Sequence, residues 1–167
     1  DGKMVIASSE TSNFLHWIDT STHENIHNTL VDERPRHIEF SKSGDKVWAS
    51  SEVGGTVVII DTKTKEVIKK LSFKIPGIFK DKIQPVGIKL TSNGKYAFVG
   101  LGPANHVAVI NAKTYEVIKY FLVGKRVWQL GFAQNEKKLF TANGDSGDDS
   151  IIDLDSLKVK KTVKVGR

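Results

Sequence analysis

The sequence predicts an all-β fold built from propeller blades of four antiparallel strands, and three observations carry that expectation. Ile18-Asp19-Thr20, Ile60-Asp61-Thr62, Ile110-Asn111-Ala112 and Ile152-Asp153-Leu154 recur at spacings of 42, 50 and 42 residues. Asp1-Gly2-Lys3, Ser43-Gly44-Asp45-Lys46, Asn93-Gly94-Lys95 and Asn135-Glu136-Lys137 keep the same offsets, so two independent markers share one period. Between the markers, short β-branched and apolar runs alternate with Gly, Asn and Ser turns, and no long helical periodicity interrupts them. Four strands in about 42 residues make one blade. The 167 residues read as about four such units, 1–42, 43–92, 93–134 and 135–167, in a single partial propeller domain.

Each unit supplies strands a to d from the axis outward. Strand a, innermost, is expected at Arg36–Phe40, Val86–Leu90 and Val127–Phe132. Strand b is Met4–Ser8, Val47–Ser51, Tyr96–Leu101 and Leu139–Asn143. Strand c is the β-branched run Phe14–Asp19, Thr56–Asp61, His106–Asn111 and Ser150–Asp153. Strand d closes the unit at Asn25–Val31, Glu66–Phe73, Glu116–Val123 and Lys158–Val165. The Ser-Gly-Asp-Lys and Asn-Gly-Lys segments are a–b hairpins, and Asp61-Thr62-Lys63-Thr64-Lys65 is a c–d turn in which Asp and Thr side chains bond their own backbone. Trp48, Phe98 and Phe140 share one register position in strand b, and Ile60, Ile110 and Ile152 share one in strand c. These are expected between neighbouring blades. Asp149 breaks the pattern, because its equivalents Leu15, Val57 and Val107 are apolar. Either that strand starts later or Asp149 finds a partner, since an unpaired buried carboxylate costs several kcal/mol.

Composition narrows the chemistry. The chain has no cysteine, which excludes disulfides, thiolate catalysis and Cys-ligated metals. No apolar run is long enough to span a membrane as a helix, and Asp1-Gly2-Lys3 opens the chain without a basic-then-apolar leader. The excess of 25 Lys and Arg over 19 Asp and Glu gives +6, a mild bias towards anionic partners. Five histidines show no shared ligand spacing on an inner face, so no metal and no cofactor is expected. The acidic loop Asn143–Asp149 lacks the alternating ladder of a calcium loop and reads as turn chemistry. Nucleophile elbows, phosphate-cradling glycine loops and zinc-protease motifs are missing, so no catalytic residue is assigned.

The repeat resembles a known one. Leu139-Phe140-Thr141-Ala142-Asn143, Val107-Ala108-Val109-Ile110-Asn111-Ala112-Lys113-Thr114 and Leu122-Val123-Gly124 are similar to the YVTN β-propeller repeat, and the similarity runs along the whole chain. Leu30–Arg36, Gly100–Asn105 and Gly124–Trp128 resemble propeller proteins associated with pyrroloquinoline-quinone-dependent alcohol catabolism. The resemblance implies about seven blades and export to the periplasm or cell surface. Four units are then a fragment of a seven-bladed propeller; a four-bladed closed ring and two chains sharing one ring are rival arrangements.

Strand alternation places the d–a and b–c loops on one face and the uniform polar turns on the other. Irregular loops are where binding function concentrates. The d–a loops bring Arg34, Arg36, His37, Gln84, Lys125, Arg126 and Trp128 to the channel mouth, a cationic and aromatic rim suited to carboxylate or phosphate. The bland alternative pairs each Arg with its neighbours Asp32 and Glu33, or packs it between blades. An eight-residue insertion on the same face offers Ile78 and Phe79 to a partner.

The leading expectation is a non-catalytic binding or scaffold propeller. Its partner would be a protein or a small anionic ligand at the d–a loops, in a periplasmic quinone-dependent alcohol oxidation system. The alternatives are a propeller enzyme, a lactonase or redox subunit with its site in the channel, and an anion or single-stranded nucleic-acid binder.

Overall fold

The computed structural model describes residues 2–166. Its strands form four antiparallel sheets, each laid out in chain order. The first holds β1 (Met4–Ser9), β2 (Phe14–Asp19) and β3 (Asn25–Leu30). The second holds β4 (Pro35–Phe40), β5 (Lys46–Ser51), β6 (Thr56–Asp61) and β7 (Val67–Ser72). The third holds β8 (Ile88–Leu90), β9 (Tyr96–Gly100), β10 (His106–Asn111) and β11 (Val117–Leu122). The fourth holds β12 (Val127–Phe132), β13 (Lys138–Asn143), β14 (Asp148–Asp153) and β15 (Lys158–Lys164). The only helical pieces among the described residues are single 3₁₀ turns at Lys80–Lys82 and Gln134–Glu136. No helix among them is long and apolar enough to cross a membrane. The innermost strands β4, β8 and β12 lie beside one another and line the axis.

The expected turn chemistry is present. Asp61 Oδ1 accepts hydrogen bonds from the Lys63 and Thr64 backbone at 2.9 Å, and Asn111 does the same for Lys113 and Thr114 at 2.9 and 3.1 Å. Gly44 and Gly94 take φ of 74° and 65° in the a–b hairpins, the left-handed region where a side chain strains the backbone.

Three apolar layers lie between successive sheets. Leu15 and Trp17 meet Val47, Ala49, Val58 and Ile60 between the first and second. Trp48, Val57 and Ile59 meet Ile88, Ala97, Val99 and Ile110 between the second and third. Phe98, Val107 and Val109 meet Val127, Leu130, Leu139 and Ile152 between the third and fourth. Trp48, Phe98, Ile60, Ile110 and Ile152 are thus buried as expected. Phe140 is half-buried, because it lies on the face of the fourth sheet turned away from the third.

That geometry also accounts for Asp149. β14 begins at Asp148, two residues before the expected Ser150. Asp149 pairs with Ala142 and Val163, on the same outward face as Phe140 and Ile151, and it stays half-exposed. β8 is shorter than expected, starting at Ile88 instead of Val86; Val86 and Gly87 still bond Gly100 of β9, while the Gly87 N–H donates to Trp128 O of the next sheet at 2.9 Å. The insertion is pinned by buried Ile75 and Ile83, and Ile78 packs against the same layer.

Truncating Trp48 to Ala should therefore cost about 3–5 kcal/mol in denaturant unfolding. Phe79→Ala, at a side chain 80% exposed, should stay within about 0.5 kcal/mol. Equal losses at the two positions would contradict the layer assignment.

Candidate functional site

Backbone hydrogen bonds that repeat between blades build the mouth. Asn13 Oδ1 accepts the Arg34 N–H at 3.1 Å, and Asn105 Oδ1 accepts the Arg126 N–H at 2.8 Å. Asn13 and Asn105 hold equivalent places in the b–c loops of the first and third sheets, so each loop clamps the next sheet's d–a loop. Within a sheet, Glu52 N–H donates to Arg34 O at 2.9 Å, and Gly144 N–H donates to Arg126 O at 3.0 Å. Arg34 and Arg126, at φ of 60° and 56°, mark the same tight bend.

These ties bring in two carboxylates that the sequence reading did not single out. Arg34 Nε lies 3.2 Å from Glu10 Oε2 and 3.4 Å from Glu52 Oε2. Arg36 bonds Glu10 through Nη1 and lies 3.3 Å from Glu52 Oε2 through Nε. The partners of Arg34 and Arg36 are thus Glu10 and Glu52. Asp32 instead bonds Lys70 and Thr56, at 2.8 and 2.6 Å. Partial desolvation pushes the Glu10 carboxyl up, but the bonds from Arg36 and Arg34 outweigh it and hold it below the ordinary glutamate range. Glu52 is 3% exposed. Its Oε2 has both guanidinium nitrogens within ion-pair distance yet no aligned hydrogen bond. Glu10 and Glu52 occupy the same repeat position, 42 residues apart, and comparing the repeats position by position would have found them.

The fourth sheet carries the contrasting half. The positions equivalent to Glu10 and Glu52 around Arg126 are Gly102 and Gly144. Among the described residues no carboxylate pairs with Arg126; its guanidinium sits 4.7 Å from the Trp128 ring centre, and that of Arg36 reaches the same ring at 5.8 Å. Gly144 is required here, since a Cβ would stand 2.7 Å from Trp128 Cδ1. Lys125 is exposed and unpaired among the described residues, its backbone N–H held by Ser146 Oγ at 2.8 Å. Gln84 is turned back onto the insertion, donating to Asp81 O at 3.0 Å. Ile78 is half-buried in the core layer, so Phe79 alone stands free on the insertion.

Two register shifts shape the wall beneath. One falls between Pro35 and Ile38 and the other between Val127 and Gln129, so Arg36, His37 and Trp128 sit in bulges, which re-aim side chains. His37 Nε2 lies 3.3 Å from Glu39 Oε2, and Lys89 Nζ donates to both Glu39 oxygens at 3.0 and 3.1 Å. Burial pushes the Glu39 carboxyl up, and the bonds from His37 and Lys89 together outweigh it. A hollow of about 260 Å³ opens beside Trp128, lined also by Asn143, Gly144, Asp148 and Asp149. A larger one, about 650 Å³, lies on the opposite face at Phe40, Lys42 and Lys63, away from these charged groups.

Residues 14–165 match the family model for lactonases of the seven-bladed β-propeller type. The chain belongs to this family. Among solved structures, hydrazine synthase of Kuenenia stuttgartiensis superposes with a TM-score of 0.86 at 19% identity, over 99% of this chain and 47% of that one. A putative 6-phosphogluconolactonase from Bacteroides fragilis gives 0.82 at 21% identity, over 99% and 53%. Another from Bacteroides uniformis gives 0.82 at 17% identity, over the same shares, 99% and 53%. The lactonase-family chain spans about half the length of these structures, and at such identities the likeness speaks for the fold. No curated protein sequence matches it. The narrower tie to quinone-dependent alcohol oxidation rests on the sequence resemblance alone.

The Glu39 cluster makes a pH prediction for this propeller. A carboxyl held below its ordinary value of 4.5 stabilises the fold above that pH and loses the contribution as pH falls through its folded value. Unfolding stability should drop below about pH 4.5, and the drop should be shallower in Glu39→Gln. Parallel curves would show that the cluster carries no linkage.

Proposed function

We propose that the protein hydrolyses a lactone bearing an anionic group, bound at the channel mouth. The observation that carries this reading is the Arg126 guanidinium, without a carboxylate partner among the described residues, sharing the Trp128 ring with Arg36 in a chain of the seven-bladed lactonase family. Planar guanidiniums suit phosphate and carboxylate, and the indole offers an apolar surface to a sugar-like ring. The 6-phosphogluconolactonase titles of two structural neighbours suggest a phosphorylated sugar lactone as the substrate class. His37 is the base in this scheme. Glu39 orients the imidazole and Lys89 fixes Glu39, the arrangement of a base held by a third group. His37 takes a proton from water as its oxygen attacks the lactone carbonyl carbon. The ring C–O bond breaks, the proton passes to the departing alkoxide, and a hydroxy acid results with no redox change.

A non-catalytic binding propeller, exported and serving an alcohol oxidation system, is the second reading. One observation favours it: Glu10 and Glu52 hold Arg34 and Arg36 in an ion-pair cluster that offers charge pairing and no nucleophile.

Acid release from a panel of phosphorylated and plain lactones separates the readings in the full-length protein. Hydrolysis should favour the phosphorylated lactones. His37→Asn should lower kcat by about 10²–10⁴-fold, and Arg126→Ala should raise KM with a smaller effect on kcat. Ligand binding without acid release from any lactone would leave the binding propeller in place of the enzyme.

A further inference from the structure

We propose that Glu10 is a tethered stand-in for the ligand's anion, closing the mouth until a more highly charged group displaces it. The inference rests on the anion-binding reading of the mouth and adds a device to it. Glu10 engages both Arg34 and Arg36, and its side chain is 45% exposed, at the start of the first sheet's b–c loop. Glu52 touches the same two arginines from below, where it is buried and tied by its own backbone to Arg34 O. One carboxylate is thus buried and the other reaches solvent.

The repeat supplies an internal comparison. Around Arg126 both equivalent positions are glycine, and that guanidinium is left on the Trp128 ring with no carboxylate among the described residues. Glycine at position 10 would leave Arg34 and Arg36 similarly open on their solvent side. Charge then selects the ligand. With Glu10 swung away, three guanidiniums and Glu52 leave two positive charges, which a phosphate monoester dianion neutralises. A monocarboxylate merely replaces Glu10 like for like, and it must also bear the entropy of being untethered.

The test uses inorganic phosphate as the probe, titrated calorimetrically into the full-length protein and its variants. Glu10→Gln should tighten phosphate binding about five- to tenfold and steepen its salt dependence. Glu33→Gln removes the same charge from the same loop at an exposed carboxylate that pairs with neither arginine among the described residues, and should change affinity less than twofold. Equal gains in both variants, or a gain in neither, would overturn the stand-in role. Arg36→Ala and Arg126→Ala in the Glu10→Gln background test the underlying reading separately. If phosphate binds there as tightly as before, the mouth is not the anion site. If those variants weaken binding while Glu10→Gln alone leaves it unchanged, the site stands and the stand-in does not. Phosphate binding to Glu10→Gln but not to the parent protein would be the strongest support.

Discussion

Everything at the mouth depends on the apolar layers between sheets. A four-stranded β-sheet whose strands are apolar on both faces must be covered on both, and in this chain the cover is the next sheet. Val57 and Ile59 face forward and Val58 and Ile60 face back, so one strand of the second sheet serves two layers. This two-sided burial fixes the rotation between sheets. It thereby fixes where each loop begins, and a loop begun in a fixed place can hold a charged side chain to within a hydrogen bond. The asparagine clamps from Asn13 to Arg34 and from Asn105 to Arg126 are the local consequence.

On that frame the repeat has diverged where it meets solvent at the axis. The second sheet pairs Arg36 with Glu52, while the fourth puts Trp128 over Gly144 at the same two positions. The substitutions are coupled by volume: an indole lies where only hydrogen is tolerated on the facing Cα. One side of the mouth is therefore a neutralised ion-pair cluster and the other an open guanidinium on an aromatic ring.

The strands, their order and the buried register were legible because period, turn chemistry and apolar alternation all point to the same answer. Trp48, Phe98 and the three isoleucines followed from equivalence alone. The ion-pair partners were not read because proximity in sequence, Asp32 and Glu33 beside Arg34, competed with proximity across the repeat. The loop geometry turns Asp32 to Thr56 and Lys70 instead. Bulges at Arg36–His37 and Trp128 leave no composition signal, since they arise from how the inner strands leave the ladder. The expected openness of Ile78 failed for a related reason. An insertion of eight residues has to anchor itself, and Ile75, Ile78 and Ile83 are its anchors.

Glu52 is the residue least easily explained by stability. A carboxylate 3% exposed is stripped of most of its water, and buried ion pairs generally return little beyond that desolvation cost. Here the return is smaller still, because Oε2 sits near two guanidiniums without an aligned hydrogen bond from either. An apolar residue would pack the same space with no such cost. What Glu52 does provide is direction. It holds Arg34 and Arg36 together at the start of the inner strand, with Arg34 Nε and Arg36 Nε 3.4 and 3.3 Å from the same carboxylate oxygen. The same two guanidiniums also meet Glu10. Glu52 is thus a positioning residue, with its stability cost offset by the interblade layers beneath it.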